Sequence, residues 1–504
     1  MALASQVLKY NYVVIQPIGG TAIDLTAHLQ YIEYFENIMS PTISMNMKIS
    51  STFNFVSKLP IRGGERIAME VETLSGIFKF GTIEKDQGIV PDSGELYVYK
   101  IENLDQPTTA QSFTLKITSP EYFANETSRC TKKYKLAKID AHIKDILGNV
   151  MKVDPDKFAK DGLIESTTNS YSFIGNTKKP FHTISWLCPK AIKGLKQGVS
   201  GSGEQAKTVG TAGYLFFENK KGFNFKSIES LVARTRKSEG ESSENADAKI
   251  RGEEIHGPYL HPGMGAMGNA YKLEENFKIN YFHINRGSDI RKALSVGQFS
   301  NKTIFFNSLT HAVSQYDYKL FEQVENKLGN ENDADGSKLP VPLINIEAGV
   351  LAGLGTDKQL KNLTSRYMFK MSDHGTLGIG TDGFQTSGID EADQAKSISR
   401  YNALFSQSVD IQVPCNTTLK VGDLINCVFP ELKDGQSSEK DAKASGNYLI
   451  VRLNHHFQTN SSYTSLNLVR DSYGYAKVGS SQNQKKVYES NREKQRRLRA
   501  NQFK

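Results

Sequence analysis

Few residues in this sequence are spaced for chemistry. Gly263, Gly265 and Gly268 satisfy a G-x-G-x-x-G pattern. They follow HGPYLHP rather than a strand, with no βαβ unit around them, so the pattern reads as a loop and not as a dinucleotide cradle. Lys207-Thr208 lacks the immediately preceding glycine of a phosphate-binding loop. His256 and His261 lie close in sequence and His455-His456 are adjacent, but a zinc site wants three or four ligands in fixed geometry, and neither pair has Cys or a second His motif beside it. His455 falls on the apolar side of its strand and is expected as a hydrogen-bonded core histidine. No G-x-S-x-G elbow occurs. Paired carboxylates for glycoside hydrolysis are a spatial constellation, and nothing in the sequence selects a pair. The basic run Arg492, Lys494, Arg496, Arg497 and Arg499 can bind phosphates or an acidic protein groove, or remain a solvated terminus. No catalytic, cofactor or metal residues are assigned, and the expectation is a protein that is not an enzyme.

Charge supports that restraint. The net charge is +8, but from Ser481 onward eight Lys and Arg face only Glu489 and Glu493. The tail thus carries +6, and the other 480 residues are nearly neutral. Cys130, Cys188, Cys415 and Cys427 show no C-x-x-C spacing and are expected as reduced core residues of a protein made in a reducing cytoplasm. No apolar run approaches the roughly 20 residues that cross a bilayer. The N-terminal MALASQVLKYNYVVIQPIGG lacks a basic, apolar export signal, so neither export nor membrane insertion is expected.

The elements that must position any site are mostly strands. The 504 residues suit two to four domains. Ile43, Met45, Met47 and Ile49 alternate with polar residues, as do Ile67, Met69 and Val71, and Phe113, Leu115 and Ile117. The stretch from His28 to Glu36 fits either a strand or a helix. Ser119-Pro120-Glu121 reads as a capped helix start, and Ile139, Ile143, Ile146 and Leu147 form a helical stripe, so the period changes near residue 119. A second helix fits Phe181, Ile184, Leu187 and Ala191, kinked or begun at Pro189, with Trp186 as a core residue. Tyr214, Phe216, Phe223 and Phe225 flank a turn at Asn219 to Gly222, a hairpin followed by a short helix capped by Ser227. Residues 237–254 and 329–338 are polar loops, and 340–395 are weakly patterned. Val409, Ile411 and Val413, the run Leu424 to Phe429, Leu449 to Phe457, and Thr464, Leu466 and Leu468 read as four antiparallel strands of a small barrel or sandwich.

The order of these features carries a resemblance. A strand ending in Pro414, then Leu419-Lys-Val-Gly-Asp423, a strand ending in Pro430, Gly446-Asn-Tyr-Leu-Ile-Val451, and Tyr463-Thr-Ser-Leu-Asn-Leu-Val-Arg-Asp471 resemble the closing barrel of central baseplate hub proteins of contractile-tailed, T-even-like phages, related to the hub part of type VI secretion spikes. Ser119-Pro-Glu, the helix from Pro180 and the aromatic hairpin are similar to that family's middle module. The resemblance covers 1–50, 119–231 and 400–474. It implies a mainly β fold with an α+β middle module and two tube-like β-barrel domains. Residues 1–118 form the first barrel, 119–236 the middle module, 255–320 with 396–475 the discontinuous second barrel, 321–395 an inserted module and 476–504 the basic tail. It further implies a virion protein of the tail baseplate without cofactors. That protein is a homotrimer adapting a sixfold tail tube to a threefold spike, with tube, spike and wedge proteins as partners and DNA only as passing cargo. Two rivals stay open: a tail-tip hub that hydrolyses cell wall, and a nucleic-acid-binding protein acting through residues 481–504.

Overall fold

A computed structural model describes residues 8–53, 61–84, 88–91, 94–105, 110–193, 211–232, 255–262, 277–285, 289–307, 311–320, 344, 364–371, 379–380, 383–384, 391–431, 441 and 444–472. The fold is mainly β, with an α+β middle module. Strands of five residues or more are numbered in chain order. The N-terminal part contributes β1 (Lys9–Gln16), β2 (Leu29–Asn37), β3 (Ser44–Ser51), β4 (Arg66–Thr73), β5 (Gly76–Phe80), β6 (Leu96–Asp105) and β7 (Gln111–Thr118). Their period-two patterns bury one face: Ile32, Met45, Met47, Ile49, Phe113, Leu115 and Ile117 are all inside, each worth about 1.5–3 kcal/mol of transfer free energy. The ambiguous stretch before Asn37 is strand, because its odd and even residues face solvent and core in turn.

The middle module holds α1 (Pro120–Thr127), β8 (Lys133–Lys138), α2 (Ile139–Asp145), β9 (Ser170–Ile174), α3 (Pro180–Leu187), the hairpin β10 (Tyr214–Asn219) and β11 (Gly222–Ser227), and α4 (Ile228–Val232). It has its own core, in which Ile143, Ile146, Phe181, Ile184, Phe223 and Phe225 pack together. Pro189 neither begins nor kinks α3. It lies in a short 3-10 turn, Cys188–Lys190, that finishes the helix. Trp186 is not a core residue: it is 40% exposed, with Tyr171 and Phe173 on one side and the Lys190 ammonium 4.4 Å from its ring. The stripe Phe181, Ile184 and Leu187 takes the buried face, which leaves Trp186 at the rim. Ser119 does not cap α1 with its side chain, whereas the amide of Ser230 does bond the Ser227 hydroxyl at 3.2 Å.

The C-terminal part adds β12 (Ile255–Leu260), β13 (Tyr281–Asn285), β14 (Ser300–Phe306), β15 (Val313–Lys319), β16 (Arg366–Met371), helix α5 (Glu391–Leu404), β17 (Gln407–Pro414), β18 (Leu424–Val428), β19 (Gly446–Phe457) and β20 (Tyr463–Arg470). One 14-stranded sheet joins both ends of the chain in the order β13-β17-β20-β19-β2-β3-β7-β6-β4-β1, with a short strand at Ile23–Asp24 beyond β1. Its seam is the antiparallel pairing of β2 with β19, from Arg452↔Asn37 to Phe457↔Ile32. The 12-residue β19 divides one of its edges: residues 446–449 pair with β18, and residues 452–457 pair with β2. A bulge between Ile450 and Arg452 in its pairing with β20 accompanies the change. One hydrophobic core runs under the whole sheet, from Val13 and Phe113 to Val409 and Leu468. Among the described residues, no helix is long and apolar enough to cross a membrane.

Candidate functional site: a polar sheet face above a buried carboxylate junction

Strand alternation places a continuous row of polar side chains on the outer face of the large sheet. Register aligns Asp410 with Asn467, Asn467 with Arg452, Arg452 with Asn37, and Glu33 with both His456 and Asn46. Neighbours bond across the strands: Asn467 Nδ2 donates to Asp410 Oδ1 at 2.6 Å and Asn46 Nδ2 to Glu33 Oε2 at 3.2 Å. Further along, Lys116 and Lys100 both reach Glu102, at 3.5 and 2.6 Å. These surface pairs, exposed or half-buried, orient side chains more than they stabilise the fold. A groove of about 840 Å³ runs over the seam, with Phe35, Asn37, Arg452, Asn454, Asn467 and Gln412 in its walls. Its polar groups are mainly amides, with one cation, Arg452, and one exposed anion, Asp410, set among apolar side chains such as Tyr281, Ile411 and Leu466. Such a surface offers a polymer hydrogen bonds in both senses without a strong field of either sign.

Directly beneath the seam lie two fully buried carboxylates. Glu36 Oε1 accepts from the Tyr34 hydroxyl at 2.8 Å and the Lys220 amide at 2.7 Å, while Oε2 accepts from the Val421 amide at 2.8 Å. Glu218 Oε2 accepts from the Ile43 amide at 3.0 Å and the Ser119 hydroxyl at 2.7 Å. Asn219 Nδ2 donates to the Val421 carbonyl at 3.2 Å. The hairpin β10–β11, the N-terminal strands and the turn before β18 are thereby tied at one point. Burial pushes the Glu36 carboxyl up to about 7 against the pull of its three donors. Burial and the neighbouring Glu121 push Glu218 up to about 8. The Lys220 ammonium sits 4.5 Å from the Phe78 ring, and burial pushes its pKa down. His455 is buried, hydrogen-bonds Thr464 Oγ1 at 2.9 Å and stacks on Tyr34. It is the core histidine that its strand position implies, held down to about 3 by burial and by Lys220. The junction is closed to solvent, and its chemistry is that of a joint.

Sequence reasoning did not single out Glu36 or Glu218. The signal for Glu36 was present, because it shares strand parity with Ile32 and Tyr34, and an acid on a core face needs donors. Glu218 had no such signal, since every residue of β10 is buried. His256 does not pair with His261: its Nε2 lies 3.1 Å from Asp423 Oδ2, whereas His261 packs against the Phe282 ring. All four cysteines are free and buried. Among the described residues no group of three or more His, Cys, Asp or Glu is arranged to hold a metal. The basic residues Arg492, Lys494, Arg496, Arg497 and Arg499, the glycines at 263–268 and Lys207-Thr208 lie outside the described residues; the HGPYLHP stretch before those glycines, read from sequence as no strand, is in fact mostly β12, which pairs in parallel with β18.

No protein-family model and no curated protein matches this chain. Among solved structures, it is similar to a tail protein from Neisseria meningitidis MC58, at 10% identity and a TM-score of 0.44, over 91% of this chain and 96% of that one. It is similar to the 43 kDa tail protein of prophage MuSo2 from Shewanella oneidensis, at 9% identity and a TM-score of 0.44, over 91% and 98% of the two chains. The c3393 component of the E. coli type VI secretion system, itself described as structurally similar to T4 tail proteins, aligns at 8% identity and a TM-score of 0.39, over 94% of this chain and 79% of its own. Two tail proteins and a secretion-system component are thus what this chain is similar to over more than nine tenths of its length.

Proposed function

We propose that the chain is a structural tail protein, the central hub of a contractile-tail baseplate, working without catalysis or cofactor. Three copies close a ring that adapts a sixfold tube to a threefold spike and leaves a lumen for DNA. The observation that carries this reading is the β2–β19 seam, which welds the N-terminal and C-terminal β parts into one sheet with one polar face. Two β parts per chain give six similar units per trimer, and each unit that pairs or covers its edge strands against a neighbour removes an aggregation hazard. The groove face supplies the lumen lining: amide-rich and charge-balanced, it lets a polyanion slide past without holding it. Tube, spike and wedge proteins are the partners in the virion, after synthesis in the host cytoplasm.

Light scattering on the purified chain tests this directly. The expected mass is three times 56.1 kDa, with a ring and a central hole in negative stain. A dimer without a ring overturns the hub reading. Clearing on a peptidoglycan zymogram would instead restore the hydrolase reading.

A further inference from the structure

Among the described residues, the small sheet β15-β14-β16 ends in an open edge. β16 pairs with β14 in parallel, from Asn301↔Arg366 to Phe306↔Met371, and among the described residues no strand pairs with its other side. Three of its side chains point to solvent at period two: Tyr367 is 68%, Phe369 69% and Met371 64% exposed. The face continues onto β14, where Phe306 stacks on Phe369 with ring centroids 6.4 Å apart. An exposed row of this kind, with neither Pro nor an outward charge to blunt it, invites an added strand.

The opposite face of β16 says what chemistry that strand has. Arg366 and Lys370 are half-buried there. The Lys370 ammonium lies in the field of Lys190 and Arg366, and burial and both cations lower its pKa. No carboxylate among the described residues forms an ion pair with it. A second copy of β16 laid against this edge would bring cations against cations, which disfavours self-pairing. An acidic strand removes that conflict.

We propose that the free edge of β16 accepts a strand from a partner protein whose sequence alternates acidic and apolar residues. Its acids face Arg366 and Lys370, and its apolar side chains cover Tyr367, Phe369 and Met371. Main-chain hydrogen bonds supply the affinity and the alternation supplies the specificity.

The test uses the full chain and three fluorescent probes: a ten-residue Glu-Val alternating peptide, its Lys-Val counterpart and a dodecamer of thymidylate. Anisotropy is expected to show binding of the Glu-Val peptide and at least about tenfold weaker binding of the Lys-Val peptide. Lys370→Glu should narrow or reverse that preference. Tyr367→Ser, at a solvent-facing position that leaves the fold intact, should weaken the Glu-Val peptide several-fold. Equal binding of the two peptides, or indifference to both substitutions, overturns the proposal. So does binding of the oligonucleotide in place of the peptide, or a concentration-dependent dimer of the chain that Tyr367→Ser dissolves.

Discussion

Glu36 is held by three donors that favour its charged form, inside a site whose low polarity favours the neutral one. Its folded pKa, about 7, lies above its ordinary value of 4.5. The folded chain therefore keeps a proton that the unfolded chain releases, and stability falls as pH rises from about 4.5 through about 7. Glu218 acts in the same direction. His455 acts oppositely: its folded pKa, about 3, lies below 6.5, so it contributes stability above 6.5 that is lost as pH falls toward 3. Glu36→Gln removes one titration and turns one acceptor into a donor aimed at an amide. We expect it to cost about 1–3 kcal/mol at pH 5, with the gap to the wild type narrowing by pH 8. Denaturant midpoints across that range measure it, and parallel curves would refute the assignment.

At the scale of elements, the hairpin β10–β11 is the piece that docks. Gly222 has φ +125°, and a Cβ there would stand 2.2 Å from the Lys157 carbonyl oxygen. Both the left-handed backbone and the contact with main chain forbid a side chain. Gly222→Ala should therefore cost roughly 3 kcal/mol or more, read as a lower melting temperature. The middle module offers a second contrast. Phe223 is fully buried between Phe181 and Phe216, so Phe223→Ala should cost about 3–5 kcal/mol. Trp186→Ala, at the rim, should cost distinctly less despite removing the larger side chain. Equal losses would mean that Trp186 is covered in solution.

For the whole molecule, β19 decides whether the two ends of the chain act as one body. Asn454 is paired on both sides, to Phe35 in β2 and to Ser465 in β20. Asn454→Pro removes its amide from a central ladder and should cost about 3 kcal/mol or more. Hydrogen exchange should show amides of residues 32–37 and 463–467 losing protection while the middle-module core, around Ile143 and Phe225, keeps it. Uniform loss across all three regions would instead mean that the chain unfolds as a single cooperative unit. Under the hub reading the same variant forms no ring.

Local pattern by itself determined a good deal of this protein. The alternations at Ile43 to Ile49, Val409 to Val413 and Thr464 to Leu468 became strands because period two is a property of the backbone. The aromatic hairpin and the Ser227 cap follow from neighbours within a few residues. Only the tertiary structure decided the rest. Glu36 meets the amide of Val421 across 385 residues of chain, and no periodicity reports a partner at that distance. Ser119 carried the local signal of a helix cap, yet its hydroxyl serves Glu218, because a buried carboxyl needs the donor, while the Ser119 carbonyl takes the Tyr122 amide at 3.1 Å. Trp186 occupied a helix as its spacing implied, but which side of α3 met the core depended on where β9 and the hairpin packed. Pattern sets each element's type and faces; pairing across long loops is set by which faces and donors fit in three dimensions, and that choice made two β parts into one sheet.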